Sequence, residues 1–304
     1  MPPWQPLAPP WRSCECLSSF LVYNLGLMTT PVGRQGARLD FGDALQEGWR
    51  AFSRSPGPFV GFPLVVIALQ FLIQPLQSRI SNGGVASSDP LDWLLYLIGL
   101  TANLLLNLWC AIGLVRGAGS ALQGGHPSLG QLMRWDGEVF LRLLRVWLLL
   151  AVVVLVPLIG LVLLVGGPLA LLGVYAEQLV PFSRTLVEVL GLSLAVVFAL
   201  LLGVLLLGVI YLAINQSFLT QIVLFERAGS RSALQRGRAL VDPSWLMVLL
   251  LTLIEGLLLL LGLLACLVGA FVAWPLVVCI ATAAYRQLVL ASGGADPLPP
   301  HPSR

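Results

Sequence analysis

The 304-residue chain is strongly apolar: 58% of its residues are hydrophobic, only 10% are charged, and the mean hydropathy is +0.91. Soluble domains have about 45–50% apolar and about 25% charged residues, so this composition excludes a soluble globular protein and predicts an integral membrane protein. The formal net charge of +3 comes from dispersed arginines without any lysine, which argues against a nucleic-acid partner.

The predicted elements begin after an N-terminal extension. Residues 1–38 contain several prolines and no signal-peptide pattern, so we expect this segment to be disordered, with Met28 as a second candidate start. An amphipathic helix is predicted next, at residues 41–52, because its apolar residues recur at helical spacing. We expect this helix to lie in the headgroup plane, with Trp49 and Arg50 at the membrane interface.

Five long runs with little or no charge follow, and a helix needs about 20 apolar residues to cross the bilayer core. A single charge, Glu255, lies in the last long run, which must fold as a hairpin that turns near Gly269. An eight-span alternative divides the runs around Pro157 and Val204 into hairpins, for which their lengths are marginal. Within a transmembrane domain of residues 39–290, the six predicted spans are residues 58–77, 93–115, 147–167, 189–213, 244–264 and 271–290.

The arginines indicate the direction of the spans, because basic residues are retained preferentially in cytoplasmic loops. With six spans, 15 of the 17 arginines fall on one side of the membrane, and only Arg79 and Arg184 fall on the other. This distribution favours a multi-pass protein with both termini in the cytoplasm. The tail, residues 291–304, is rich in proline and glycine and is expected to be disordered.

A short amphipathic pattern occurs before three of the spans. Residues 44–48 and 233–237 both read Ala-Leu-Gln-x-Gly, and the second copy places Arg236 and Arg238 at the interface. A third, weaker copy at residues 128–135 precedes span 3. We therefore predict an all-α polytopic transmembrane bundle of three repeats, each a cytoplasmic amphipathic helix followed by two spans. The alternative is that the amphipathic connectors of any polytopic protein would look alike without repetition.

Three segments carry a resemblance to a known family: residues 44–62 (ALQEGWRAFSRSPGPFVGF), residues 233–245, and the last span with Trp274-Pro275 and the closing Tyr285-Arg286. They resemble a bacterial family of uncharacterised six-span membrane proteins. That family is related to the membrane domain attached to some glycerophosphoryl diester phosphodiesterases. The resemblance covers roughly residues 39–290 and implies a six-helix fold in the bacterial inner (plasma) membrane. It implies no activity, because the phosphodiesterase itself is a separate soluble barrel.

Familiar catalytic and metal-binding motifs are missing from the sequence. With two histidines it has no His-Glu-x-x-His helix, and it has no Gly-x-Ser-x-Gly elbow and no lysine for a P-loop. The five cysteines show no metal-ligand spacing. We therefore expect no enzyme, no cofactor and no metal.

Polar side chains at membrane depth are the remaining candidates for a site, because each is costly in lipid unless it finds a partner. Glu255, in span 5, is either a proton- or substrate-linked carboxylate or a protonated group that hydrogen-bonds across a helix interface. Gln70 and Gln74 lie four residues apart on span 1, as do Asn103 and Asn107 on span 2. We expect these amides to hydrogen-bond across the first hairpin, and a polar pathway is the alternative.

These features favour a non-enzymatic membrane scaffold, assembly or envelope-maintenance protein. Its partners would be the lipid bilayer, anionic lipid headgroups and other membrane proteins. The alternative is a small transporter or permease component that uses Glu255 together with spans broken at Pro157, Pro168 and Pro275.

Overall fold

The computed structural model describes residues 40–83, 89–179, 184–264 and 268–298, and no residue in these ranges forms a β-strand. The predicted N-terminal extension, residues 1–38, lies outside the described residues, as does the end of the tail, residues 299–304. In chain order the α-helices are α1 (Phe41–Arg54), α2 (Pro56–Gly83), α3 (Pro90–Leu122), α4 (Leu129–Leu132), α5 (Gly137–Leu161), α6 (Gly167–Leu179), α7 (Arg184–Asn215), α8 (Leu219–Phe225), α9 (Ser230–Val241), α10 (Trp245–Leu264) and α11 (Val268–Ala291).

Six helical segments are long and apolar enough to cross a membrane, which confirms the predicted all-α, six-span class. Each predicted span lies inside one of them, and we number the spans 1 to 6; the fifth segment also includes the short helix α9, which precedes span 5. The eight-span alternative is wrong, because Pro157 and Val204 each lie within one continuous helical segment. The segments are Pro56–Ser78, Pro90–Leu122, Gly137–Leu172, Glu188–Phe225, Ser230–Leu264 and Gly269–Ala291.

The prolines disturb the spans less than the sequence suggests. Helix α5 continues through Pro157, and α11 continues through Pro275. Span 3 changes to a π-helical turn at Val162–Gly166, just before Pro168. A proline has no N–H to donate within a helix, and a single π turn is a common way to accommodate such an irregularity.

Polar side chains cap the first turn of two of the short helices. Asp40 caps α1, where its Oδ1 accepts hydrogen bonds from the N–H groups of Gly42 (2.9 Å) and Asp43 (3.2 Å). Ser128 and Gln131 cap the single turn of α4 reciprocally, as in a capping box. Each cap satisfies N–H groups that a helix leaves without intrahelical partners. A short helix followed by two spans recurs three times along the chain.

The Ala-Leu-Gln-x-Gly strings form helix-packing surfaces. Gly48 of α1 faces span 6 so closely that an added Cβ would lie 2.7 Å from Ile280 Cα. Gly237 of α9 faces the end of α7 in the same way, where an added Cβ would lie 2.9 Å from the carbonyl oxygen of Asn215. In both copies the alanine and the glycine of the string are buried.

Helix α4 also packs closely on a neighbouring helix, but here the glycine belongs to the partner helix and not to the short helix. Gly113 of α3 approaches α4, and an added Cβ would lie 2.5 Å from the carbonyl oxygen of Leu132. The short helix of each repeat thus packs on the second span of the preceding repeat: α4 on span 2, α9 on span 4, and α1 on span 6. This closed cyclic order supports repetition over chance similarity of connectors.

The buried core lies at the end of the bundle that carries the short helices. One cluster joins the aromatic residues Phe52, Phe59 and Phe62 to the end of α3, and a second surrounds Phe218 and Tyr285. The far parts of three spans have a different environment: no residue in 147–172, 188–213 or 252–264 is buried. The protein therefore has a compact end and an opposite end whose spans 3, 4 and 5 have few helix neighbours.

The beginning of the predicted disordered tail is ordered, and the expectation for residues 291–298 needs correction. Arg286 forms an ion pair of 2.6 Å with Asp296, and Leu298 is buried. Leu298 also lies close to Gly119 of α3. The tail folds back onto the bundle because an ion pair and one apolar residue follow the turn at Gly293, where φ is +79°.

Candidate functional site

The predicted amide pairs do not form the expected contact across the first hairpin. The Nδ2 group of Asn107 donates to Asn103, both to its Oδ1 and to its backbone carbonyl, at 2.9 Å in each case. No hydrogen bond in the described residues joins Gln70 or Gln74 to this pair. The hydrogen bonds of the Asn107 amide nitrogen therefore stay within α3.

Glu255 lies in the middle of α10, and its carboxylate is partly buried. Its Oε1 atom is shielded and has no hydrogen-bond partner among the described residues. No hydrogen bond or ion pair in the described part of the chain connects Glu255 to the amides of spans 1 and 2. The polar residues predicted at membrane depth are thus not assembled into one site.

The residues predicted at the interface divide into two groups. Trp49, Arg50 and Arg238 are exposed at the compact end, and Trp49 retains 56% of its accessible surface. Arg236 is instead engaged within the protein, since its Nε lies 3.2 Å from Glu226 Oε2. Helix α1 uses its small residues to pack on the bundle, and its exposed Trp49 and Arg50 remain available to the membrane.

An arginine pocket at the compact end was not predicted from the sequence. We use this name for the cavity of about 780 Å³ that is lined by residues 134–139 and by Arg116, Arg142 and Arg227. Arg116 comes from α3, Arg134 follows α4, Arg142 is in the first turns of α5, and Arg227 follows α8. The end of α3, the stretch from α4 into α5 and the connector after α8 therefore place four guanidinium groups around one cavity.

Two of these arginines are held in place by ion pairs and backbone contacts. Arg116 lies 3.5 Å from Asp136 and donates to the carbonyl of Arg134 at 2.8 Å. Arg142 lies 3.2 Å from Glu138 and donates to the carbonyl of Arg227 at 2.9 Å. Each tethered arginine therefore fixes the backbone of another arginine of the pocket.

The guanidinium groups of Arg134 and Arg227 have no ion pair or hydrogen bond among the described residues, and both residues are exposed. Two of the four arginine charges face the acidic groups of Asp136 and Glu138, and two charges remain uncompensated. Because the uncompensated charges lie on a backbone that is fixed by hydrogen bonds, the pocket is organised to attract an anion.

A polar junction around one buried tyrosine lies directly beside the arginine pocket. Tyr285 of α11 is fully buried and its hydroxyl donates to Glu226 Oε1 at 2.9 Å, while Arg236 of α9 reaches the other oxygen of the same carboxylate. The Tyr285 ring packs between Phe218 and Phe225, with centroid distances of 6.1 Å and 6.2 Å. Glu226 immediately precedes Arg227, so the junction fixes the connector that carries one arginine of the pocket.

Comparisons of the chain with models of known protein families, with curated proteins and with solved structures give no match. What the six apolar helices establish is a multi-pass integral membrane protein.

Proposed function

We propose that this chain is a non-enzymatic membrane scaffold, assembly or envelope-maintenance protein, and that spans 3, 4 and 5 hold other membrane proteins. The observation that carries the proposal is how few residues of spans 3, 4 and 5 are buried compared with span 6. In the most apolar windows of these spans, 6%, 0% and 11% of the residues are buried, whereas the value for span 6 is 56%. Half of the spans therefore bury almost none of the residues in their most apolar windows against the rest of the described chain.

Glycines on these exposed spans support protein partners in addition to lipid. A methyl group added at Gly160, Gly203, Gly208 or Gly256 would meet no atom of the described chain within 4 Å. Glycine in a helix costs about 0.5–1 kcal/mol relative to alanine. Transmembrane helices use such small residues where two backbones approach each other. The glycines of the compact end already have this role within the chain, so those of spans 3 to 5 are available to a second protein.

The proposal is tested by photo-crosslinking from span 4 in native membranes. A photoreactive amino acid at Val204 or Leu207, which are 68% exposed, is expected to yield an adduct of defined mass with another membrane protein. The change Gly203→Ile is expected to reduce this adduct strongly, because the larger side chain keeps a partner helix away while nothing in the chain itself is displaced.

Leu100 on span 2, which is 49% exposed, provides the matched control. The photoreactive group there is expected to label lipid. Lipid adducts alone at all three positions, in membranes that contain the native partners, would contradict the scaffold proposal.

A transporter is the second candidate, and Glu255 is the observation that favours it. A carboxylate at membrane depth is costly, typically about 2.5–3.5 kcal/mol or more, and one of its oxygens has no partner among the described residues. Under the scaffold proposal, Glu255→Gln and Glu255→Leu should both complement a deletion strain, and proteoliposomes with a pH-sensitive dye should show no proton flux above empty vesicles. A flux that persists in wild type and Glu255→Gln but disappears in a folded Glu255→Leu variant would replace the scaffold by the transporter.

Family membership and location belong to the same proposal. The resemblance to the bacterial six-span family is supported by the shared role of both Ala-Leu-Gln-x-Gly strings, and the arginine distribution supports cytoplasmic termini in the inner membrane. A periplasm-dependent alkaline phosphatase fused near residue 178, between spans 3 and 4, is expected to be active, and the same reporter at the C-terminus inactive. The reverse pattern would invert the proposed orientation.

A further inference from the structure

The arginine pocket lies between the end of span 2 and the beginning of span 3, where we expect these spans to leave the membrane. Arg116 is in the last turns of span 2, and Arg142 is in the first turns of span 3. Trp135 lines the pocket, is 61% exposed, and packs on Phe140 with a centroid distance of 4.6 Å. Tryptophan is enriched at the headgroup level of membranes, so the pocket opens where lipid phosphates are concentrated.

Arg227 has a left-handed backbone conformation where α8 ends. Arg227 follows the C-cap of α8 with φ of +52°, a left-handed conformation that glycine adopts most readily at this position. An arginine here carries a strain that glycine would not have. Its carbonyl is held by Arg142, and its side chain lines the pocket. The strained residue is therefore one of the two uncompensated cations.

The chemistry of the pocket defines its ligand. Guanidinium groups bind phosphate through paired, charge-assisted hydrogen bonds, and two of the four arginines have no competing carboxylate. A volume of about 780 Å³ lies within the usual range for small-molecule sites. Both a lipid headgroup and a soluble phosphate have this chemistry, and the position beside Trp135 favours the lipid.

We infer that the arginine pocket binds the phosphate of an anionic phospholipid headgroup through Arg134 and Arg227, while Arg116 and Arg142 fix the backbone of these two residues. The site adds a specific lipid contact to the proposed scaffold. It does not require the protein partner of spans 3 to 5, so the photo-crosslinking result and the lipid-binding result are independent.

The experiment uses the full chain in nanodiscs of phosphatidylcholine with and without phosphatidylglycerol, and native mass spectrometry counts the lipids that remain bound. The variant pair Arg134→Gln with Arg227→Gly removes both free cations, and the glycine also relieves the left-handed strain, so the fold should be retained. A charge-assisted hydrogen bond to phosphate contributes roughly tenfold to affinity. We therefore expect the pair to lose at least about tenfold more phosphatidylglycerol retention than a variant with the same change in charge outside the pocket.

Arg231→Gln with Arg238→Gln is the control, since it makes the same change in charge on exposed residues of α9 outside the pocket. Retention in the control, together with its loss in the pocket variant, supports the inference. Equal loss in both variants would overturn it in favour of general surface attraction. In a second arm, inorganic phosphate and glycerol 3-phosphate are added to protein in detergent. Protection from thermal unfolding by these anions, without any preference for phosphatidylglycerol, would overturn the lipid assignment and leave a soluble phosphate as the ligand.

Discussion

Replacing Gly48 with alanine is expected to lower the free energy of unfolding by about 1–3 kcal/mol, the usual cost of an overpacked position. The new methyl group would lie 2.7 Å from Ile280 Cα and 2.8 Å from Ile280 N. These are backbone atoms of span 6, which cannot rotate away as the end of a side chain can. Helix α1 must therefore move relative to span 6, and the buried Ala44 and Phe52 move with it.

The matched control is Gly57→Ala in the first turn of α2. An added Cβ there meets nothing within 4 Å, and alanine is the better helix former, so stability should be unchanged or slightly higher. Unfolding by denaturant in detergent micelles, followed by the near-ultraviolet signal of the tryptophans, measures both variants. A comparable loss for Gly48→Ala and Gly57→Ala would mean that close packing of α1 on span 6 is not what makes Gly48 necessary.

The sequence predicts those features that depend on residues close together along the chain. The six spans depend on runs of apolar residues, and the short helices on local periodicity and caps, so both can be found by reading along the chain. The repeated Ala-Leu-Gln-x-Gly strings were visible as well. Their orientation was not, because only the partner helix decides whether Gly48 and Gly237 face protein or lipid.

The arginine pocket shows the opposite case. In the sequence its arginines serve only as a sign of topology, and Arg142 and Arg227 are separated by 85 positions. Nothing local indicates that the side chain of one donates to the carbonyl of the other. The same holds for the tail, where the ion pair between Arg286 and Asp296 orders a segment whose composition is typical of disorder.

Tyr285→Phe is expected to destabilise the protein by about 1–1.5 kcal/mol, because a fully buried hydroxyl loses its hydrogen bond to a carboxylate that remains partly exposed. The phenylalanine ring can keep the contacts with Phe218 and Phe225, so packing should change little. What is lost is the hydroxyl that donates to Glu226 at 2.9 Å. The carboxylate then retains Arg236, a partly exposed partner whose ion pair alone is worth about 0–1 kcal/mol.

Tyr211→Phe makes the same chemical change at an exposed position and serves as the control. Its hydroxyl also donates to a carboxylate, that of Asp242 at 3.1 Å, but water can replace this bond, so the loss should be well below 1 kcal/mol. A double-mutant cycle of Tyr285→Phe with Glu226→Ala should return a coupling energy within the range of about 0.5–3 kcal/mol seen for contacting residues. Zero coupling, or equal losses at Tyr285 and Tyr211, would mean that α11 and the connector that carries Arg227 are held together by ring packing alone.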